Sequence, residues 1–230
     1  GAAGPLRGDD LRLGIEVGPG ARLDLRSVAA SLALPGRPGP PSRLEITAVV
    51  RPGGWLRWLP EPLIAAAGCD HRAVTRVTVA AGATLIWRDD LVCGRHGEDS
   101  GDVRTDTTIR YADRTLYRHE LAVGPAAPGW AGPAVLGGGR AVGSVVLAGP
   151  DLPMPAPPGA MAAVMPLAGP GVLAIAVGAD IRPVRAALDP LCGRETARGG
   201  PPGPPLGNPR PLCGDRDRHP MAVGDRQPGP

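Results

Sequence analysis

The chain has 230 residues, 43% of them hydrophobic, which is enough to bury a sizeable core. Aromatic side chains make up 3% and Phe is absent, so that core must be built from Val, Leu, Ile and Ala. Net charge is +3 and every one of the 25 basic side chains is Arg. Without Lys the chain can form neither a Walker A phosphate loop nor a Schiff base, and any nucleotide hydrolysis has to be a partner's. Arg104, Arg110, Arg114 and Arg118 alternate with Asp106, Asp113 and Glu120, with no basic block, which argues against nucleic-acid binding. Gly and Pro break the apolar run from Met154 to Val177, which argues against a membrane span. Cysteines 69, 93, 192 and 213 form no CxxC pair and no signal-peptide pattern opens the sequence. Both features point to free thiols in a reducing cytoplasm.

With 35 Gly and 30 Pro the expectation is many short strands rather than long helices. The first pattern along the chain is a repeat. Val17-Gly18-Pro19-Gly20-Ala21-Arg22-Leu23, Val50-Arg51-Pro52-Gly53-Gly54-Trp55-Leu56 and Val79-Ala80-Ala81-Gly82-Ala83-Thr84-Leu85 all read V-x-x-G-small-x-L. Alternating segments flank each turn: Leu11, Leu13, Ile15 and Val17 before the first, for example, and Leu85 and Trp87 after the last. Period-two alternation on both sides of a Gly turn predicts hairpins with one buried face. Gly20, Gly53 and Gly82 are 33 and 29 residues apart, so the hairpins should stack in solenoid-like layers.

Trp55 and Trp58 should face opposite sides of one strand, one filling the core and the other either packed in the core as well or exposed as an interface candidate with Pro60 and Glu61 beside it. Pro62 to Ala67 is Ala-rich and permits a single helical turn. Asp89 to Asp99 leaves a strand for a Gly-rich turn and is the densest chemical cluster, with Cys93, His96 and Glu98 as candidate metal contacts. The plainer account of the same loop is an Arg95 ion pair and a Glu98 that accepts hydrogen bonds from the turns. Further strands are expected at 104–111, 115–123, 144–148 and 172–177, with a hairpin turn at Ala112-Asp113-Arg114. A short helix is expected at Ile181 to Leu188, with Asp180 as cap and Pro183 in the first turn. From Gly199 to Pro230, 16 of 32 residues are Gly or Pro, and so a loosely packed tail is expected.

Catalytic signatures are missing. There is no G-x-S-x-G elbow, and His119-Glu120 begins a zincin motif in which Val123 replaces the second His.

Gly8-Asp9-Asp10-Leu11-Arg12-Leu13, Val17 to Ala21, Leu59-Pro60-Glu61-Pro62-Leu63-Ile64 and Leu91-Val92-Cys93-Gly94-Arg95-His96-Gly97-Glu98 occur in that order. Together they resemble the urease accessory protein UreD (UreH) family, in its actinobacterial-type G-R-H-G-E version, over residues 8 to 123. The Arg26 to Ala30 segment and the region after Leu191 depart from the family pattern. The resemblance implies an all-β, β-helix-like stack of sheets with one or two short helices. It implies a scaffold domain at 1–191, while composition marks 192–230 as a Pro/Gly-rich tail that is expected to be disordered. It implies a non-enzymatic scaffold that binds apo-urease and UreF, with the GTPase UreG joining through UreF, and that aids nickel insertion. No tightly bound cofactor is implied, only Ni²⁺ in transit, with His96, Glu98 and Cys93 as transient contacts and Trp58, Pro60, Glu61 and Arg95 as partner contacts. Two other classes fit parts of the sequence: a β-solenoid protein-binding module without a metal role, and a metal-dependent hydrolase, which would need a second His/carboxylate cluster.

Overall fold

The computed structural model describes residues 4–150, 152 and 162–193, all within one compact unit. It is all-β with one short α-helix, as expected. Among the described residues thirteen strands form two sheets: β1 (Asp10–Val17), β2 (Arg22–Arg26), β3 (Ser31–Ala33), β4 (Ser42–Val50), β5 (Trp55–Leu59), β6 (Leu63–Ala65), β7 (Asp70–Val79), β8 (Thr84–Cys93), β9 (Asp102–Tyr111), β10 (Arg114–Val123), β11 (Ala141–Ala148), β12 (Ala162–Pro166) and β13 (Gly171–Gly178). The first sheet has the order β1-β4-β7-β9-β10, and the second β12-β13-β11-β8-β5-β2 with β3 and β6 continuing it.

The repeat is real, but its turns are not hairpins. β1 pairs in parallel with β4, β4 with β7 and β7 with β9, while β2 pairs in parallel with β5 and β5 with β8. Each V-x-x-G turn is therefore a corner that carries the chain from one sheet to the other. Three turns of a β-solenoid result. Gly20, Gly53 and Gly82 hold φ of 66°, 68° and 73°, a left-handed conformation that costs other residues about 1–2 kcal/mol. Ala21, Gly54 and Ala83 N–H groups close the three corners onto Gly18, Arg51 and Ala80 carbonyls, and Gly20 N–H reaches Pro52 O of the corner below at 3.1 Å. Stacking the corners satisfies their backbone groups and sets the register of everything that follows.

Parallel register lines up the inward side chains in rows. Val17, Val50, Val79 and Tyr111 form the row at the corners, and Ile15, Ala48, Val77 and Ile109 the next. All eight are buried and pack on Leu56, Leu85 and Trp87 of the second sheet. Trp58 stacks on Trp87 with ring centroids 5.3 Å apart. Trp55 has the opposite parity and faces out, with Arg22 and Arg57 guanidinium carbons 4.6 and 5.3 Å from its ring centroid.

After β9 the chain stops coiling. Ala112 and Asp113, at φ of 46° and 62°, turn it into β10 as the expected hairpin, β11 adds antiparallel to β8, and β13 adds antiparallel to β11. The segment expected to make a helical turn is β6 instead. Its Ala-rich propensity yields to parallel pairing with β3 on one side and β8 on the other. The helix α1 (Ile181–Leu188) falls where expected, and Asp180 accepts from the Arg182 N–H at 2.8 Å. It lies on β11 and β13 with Val184 and Leu188 buried. A 3-10 turn over Asp189–Cys192 follows, Cys192 is buried, and Arg57 donates to Gly193 O at 3.0 Å. The rest of the expected tail, 194–230, lies outside the described residues.

Gly143 on β11 makes the close helix approach possible, since a Cβ there would lie 2.6 Å from Val184 Cγ1 and 2.8 Å from Leu188 Cδ1. Gly143→Ala should therefore lower unfolding free energy by about 1–3 kcal/mol through overpacking. Gly82→Ala meets no neighbour within 4 Å among the described residues and should cost only about 1–2 kcal/mol from its backbone conformation. Urea unfolding of both variants, with helix loss followed at 222 nm, checks the difference in kind: only the first should loosen α1.

Candidate functional site

Below the two apolar rows the interior changes. The next row across the first sheet is Leu13, Ile46, Thr75, Thr107 and His119, and the one after it Leu11, Leu44, Ala73, Thr105 and Leu121. Opposite them the second sheet presents Trp58, Asp89, Leu91, Ser144 and Ile175. A cavity of about 280 Å³ lies between. Leu13 on the outer strand β1 and His119 on the outer strand β10 both line it and are both exposed, so it reaches the two edges of the first sheet.

Asp89 is the charged side chain inside. It sits on the same face of β8 as Leu85 and Trp87, a parity that ordinarily buries apolar groups. Its Oδ2 accepts from Trp87 Nε1 at 3.1 Å and from Thr107 Oγ1 at 3.4 Å, across the gap between the sheets. Ser144 is its register partner on β11. Burial pushes the Asp89 carboxyl up to about 6, against the Trp87 and Thr107 hydrogen bonds that favour the charged form; the nearby Asp90 pushes the same way as burial. Tyr117 opposite rises to about 12, from burial and then from the Asp89 charge. Burial depresses His119. The cavity therefore offers a carboxyl poised near neutrality, a neutral imidazole and several hydroxyls, all oxygen or nitrogen donors that suit a divalent cation such as Ni²⁺.

The loop singled out from sequence is built differently. Asp89 to Cys93 belong to β8, and only Gly94 onwards is loop. That loop is the far-end corner of the third coil. Arg95 Nε reaches Glu98 Oε2 at 2.7 Å, Glu98 also accepts from the Ala67 N–H of the neighbouring turn at 3.4 Å, and Arg140 Nη2 donates to Cys93 O at 2.7 Å and to Glu98 O. The Arg95 pair holds the Glu98 carboxyl below its usual value. Cys93 is fully buried with its thiol pushed up to about 11 by burial, and His96 is exposed. Among the described residues no three His, Cys, Asp or Glu side chains are grouped to hold a metal.

The four residues expected at an interface divide. Trp58 faces inward as a cavity wall, half-buried. Pro60 and Glu61 stand on the rim between this cavity and a second pocket outside the sheet, with Glu61 paired to Arg185 at 2.8 Å. Arg95 is exposed and tied to Glu98. Sequence reasoning missed Asp89, Thr75 and Thr107 as a group. The available signal was parity: Thr75 follows the face of Val77 and Val79, and Asp89 that of Trp87.

The family model of the UreD urease accessory protein matches residues 1–205. The chain belongs to the UreD family of urease accessory proteins. A UreD of Parafrankia is 44% identical over 216 residues, covering 84% of this chain and 73% of the relative. A UreD 3 of Streptomyces griseus is 48% identical over 192 residues, covering 80% and 75%, and a UreD of Streptomyces coelicolor is 43% identical over 192, covering 81% and 76%. UreD members are accessory proteins rather than enzymes, and membership implies a part in urease maturation. No helix among the described residues is long and apolar enough to cross a membrane.

Asp89 makes a pH prediction for this UreD chain. A carboxyl whose folded value of about 6 lies above its unfolded value of about 3.9 contributes most below pH 4, and that contribution is lost as pH rises through 6. Asp89→Asn should remove this slope. Relative to wild type it should gain about 2 kcal/mol in unfolding free energy between pH 4.5 and 7.5. Chemical denaturation across that range measures it.

Proposed function

We propose that this chain acts in urease maturation as a binding scaffold, without chemistry of its own, that holds apo-urease and UreF together and lets nickel pass through its interior. UreG, the GTPase, joins through UreF. Nickel is cargo on this reading, and no tightly bound cofactor takes part. The observation that carries the proposal is the cavity: a polar stretch with Asp89, Thr75, Thr107, Ser144 and His119, inside a solenoid whose next row towards the corners, Ile15, Ala48, Val77 and Ile109, is wholly apolar. A carboxyl and hydroxyls at that depth are costly to bury. A role in conducting a hydrated cation accounts for them, and nitrogen and oxygen donors bind Ni²⁺ without trapping it as thiolates would.

The 93–98 loop takes a lesser part. His96 alone is free to touch nickel at the outer surface, while Glu98 would have to leave Arg95 and Cys93 would have to emerge from the core and lose its proton. The Arg95–Glu98 pair favours a second reading for this loop, as a structural corner of a protein-binding solenoid.

The test is a reconstituted activation assay with apo-urease, UreF, UreG, GTP, bicarbonate and Ni²⁺. Omitting the chain should leave urease without nickel. Asp89→Ala should cut activation at least about tenfold, which is about 1.4 kcal/mol of lost stabilisation along the route, with capture of UreF and apo-urease retained. His96→Ala with Glu98→Ala should weaken capture and activation together if the loop is structural. Full activation by Asp89→Ala would remove the interior route from the mechanism.

A further inference from the structure

A second pocket lies outside the second sheet, beneath the end of α1. It encloses about 290 Å³ and is lined by Arg26, Arg88, Arg185, Glu61, Asp189 and Cys192, among others. Its origin is a break in the sheet. β5 pairs with β8 as far as Trp58 beside Trp87, and β6 resumes at Leu63 beside Leu91. Between them Pro60 and Pro62 have no N–H to give, and the Glu61 N–H is taken by Ser27 Oγ at 2.8 Å. The outer side chains of β8 at this level, Arg88 and Asp90, are thus left with α1 and the 3-10 turn for company.

Arg88 is 5% exposed, an unusual position for a guanidinium. Nε reaches Asp90 Oδ2 at 2.9 Å, and Nη1 reaches Asp189 and, at 3.7 Å, Cys192 Sγ. Among the described residues Nη2 is buried with no acceptor, and so is Arg185 Nε, which lies 3.8 Å from Asp90 Oδ2. A buried, unmatched guanidinium donor costs free energy. Of the three carboxylates that partly satisfy this pair, Asp90 is fully buried, while Asp189 and Glu61 come from the pocket's margin, with side chains 61% and 37% exposed.

We propose that this pocket is a carboxylate-recognition site, in which Asp189 holds the place of an incoming carboxylate. The ligand's carboxylate would take Asp189's position on Arg88 and accept from Arg185, while Asp189 turns into solvent. Planar guanidinium forks match carboxylates in just this way, and Arg26 at the rim adds a third positive charge. Asp24, which pairs with both Arg26 and Arg57, Asp90, which lies under Arg88, and Glu61 on Arg185 stay in place, so four guanidiniums face three carboxylates and one positive charge is left for the ligand. The carboxylate can belong to a small free anion or to an acidic side chain of a protein partner.

Two probes separate these sources: ¹³C-acetate followed by NMR, and a fluorescein-labelled tetraglutamate peptide followed by anisotropy, each titrated into the full chain. Asp189→Asn removes the placeholder without touching the core and should tighten binding of the effective probe at least threefold. Arg185→Gln should weaken it about tenfold. Acetate binding as tightly as the peptide identifies a small-anion site, and a peptide preference of tenfold or more identifies a partner's acidic side chain. Saturation by neither probe would overturn the proposal. So would binding that Asp189→Asn leaves unchanged, since that variant folds around the same Arg88–Asp90 base. The outcome is independent of nickel passage, which Asp89 tests.

Discussion

Parallel in-register stacking of the coils is the constraint on which the rest depends. Once Gly20, Gly53 and Gly82 place one corner on the next, every inward position of one coil lies directly beside the equivalent position of its neighbour. The interior is then written in rows, and each row has one chemical character. Apolar rows at the corners lock the sheets together over Trp87, Leu56 and Leu85. The Thr75–Thr107–His119 row cannot close in the same way, because hydroxyl and imidazole groups need partners. The sheets stay apart there, and Asp89 finds Thr107 across the gap.

Strand breaks are the second consequence of stacking. A break in one coil must be accommodated by its neighbours, and β2/β3 and β5/β6 are interrupted at the same level while β8 runs through. The inner cavity and the outer arginine pocket share Ser27, Pro60 and Glu61 as their common wall. Pro60 and Pro62 thus shape both, by withholding backbone donors from the ladder.

Much of this could be read from residues alone. The solenoid repeat, the Ala112–Asp113 reversal and the helix at Ile181–Leu188 follow from turn chemistry, alternation and capping, all local signals. Hairpin and coil were indistinguishable at that level. A Gly corner closes with the same i to i+3 bond in either, and alternation reports which face is buried but not which strand lies alongside. The choice rests on pairings some thirty residues away, such as Leu11 beside Leu44. Residues 63–65 were misread because an Ala-rich stretch carries helix propensity, whereas its β state is imposed from outside by β3 and β8. Asp89 and Asp90 stand where the sequence leaves a strand for a Gly-rich turn, and carboxylates at a turn are ordinarily solvated; in β8 they face opposite sides, one into the cavity and one under α1. The resemblance to UreD proteins reached the family and left these placements open.

The Ala112–Asp113 turn has a bearing on how the molecule comes together in time. β9 with β10 and β12 with β13 are joined by short local connections, so each pair can meet within microseconds. The three coils have no such shortcut, since each parallel neighbour is a full circuit away along the chain and its loop entropy is lost before any ladder bond is gained. Folding should therefore be slow, with the β9–β10 hairpin as an early template on which β7, then β4, then β1 are laid down in reverse order of synthesis. Until the coils have closed on one another, a newly made chain carries apolar β-faces without their cover, the state most prone to sticking to its own kind.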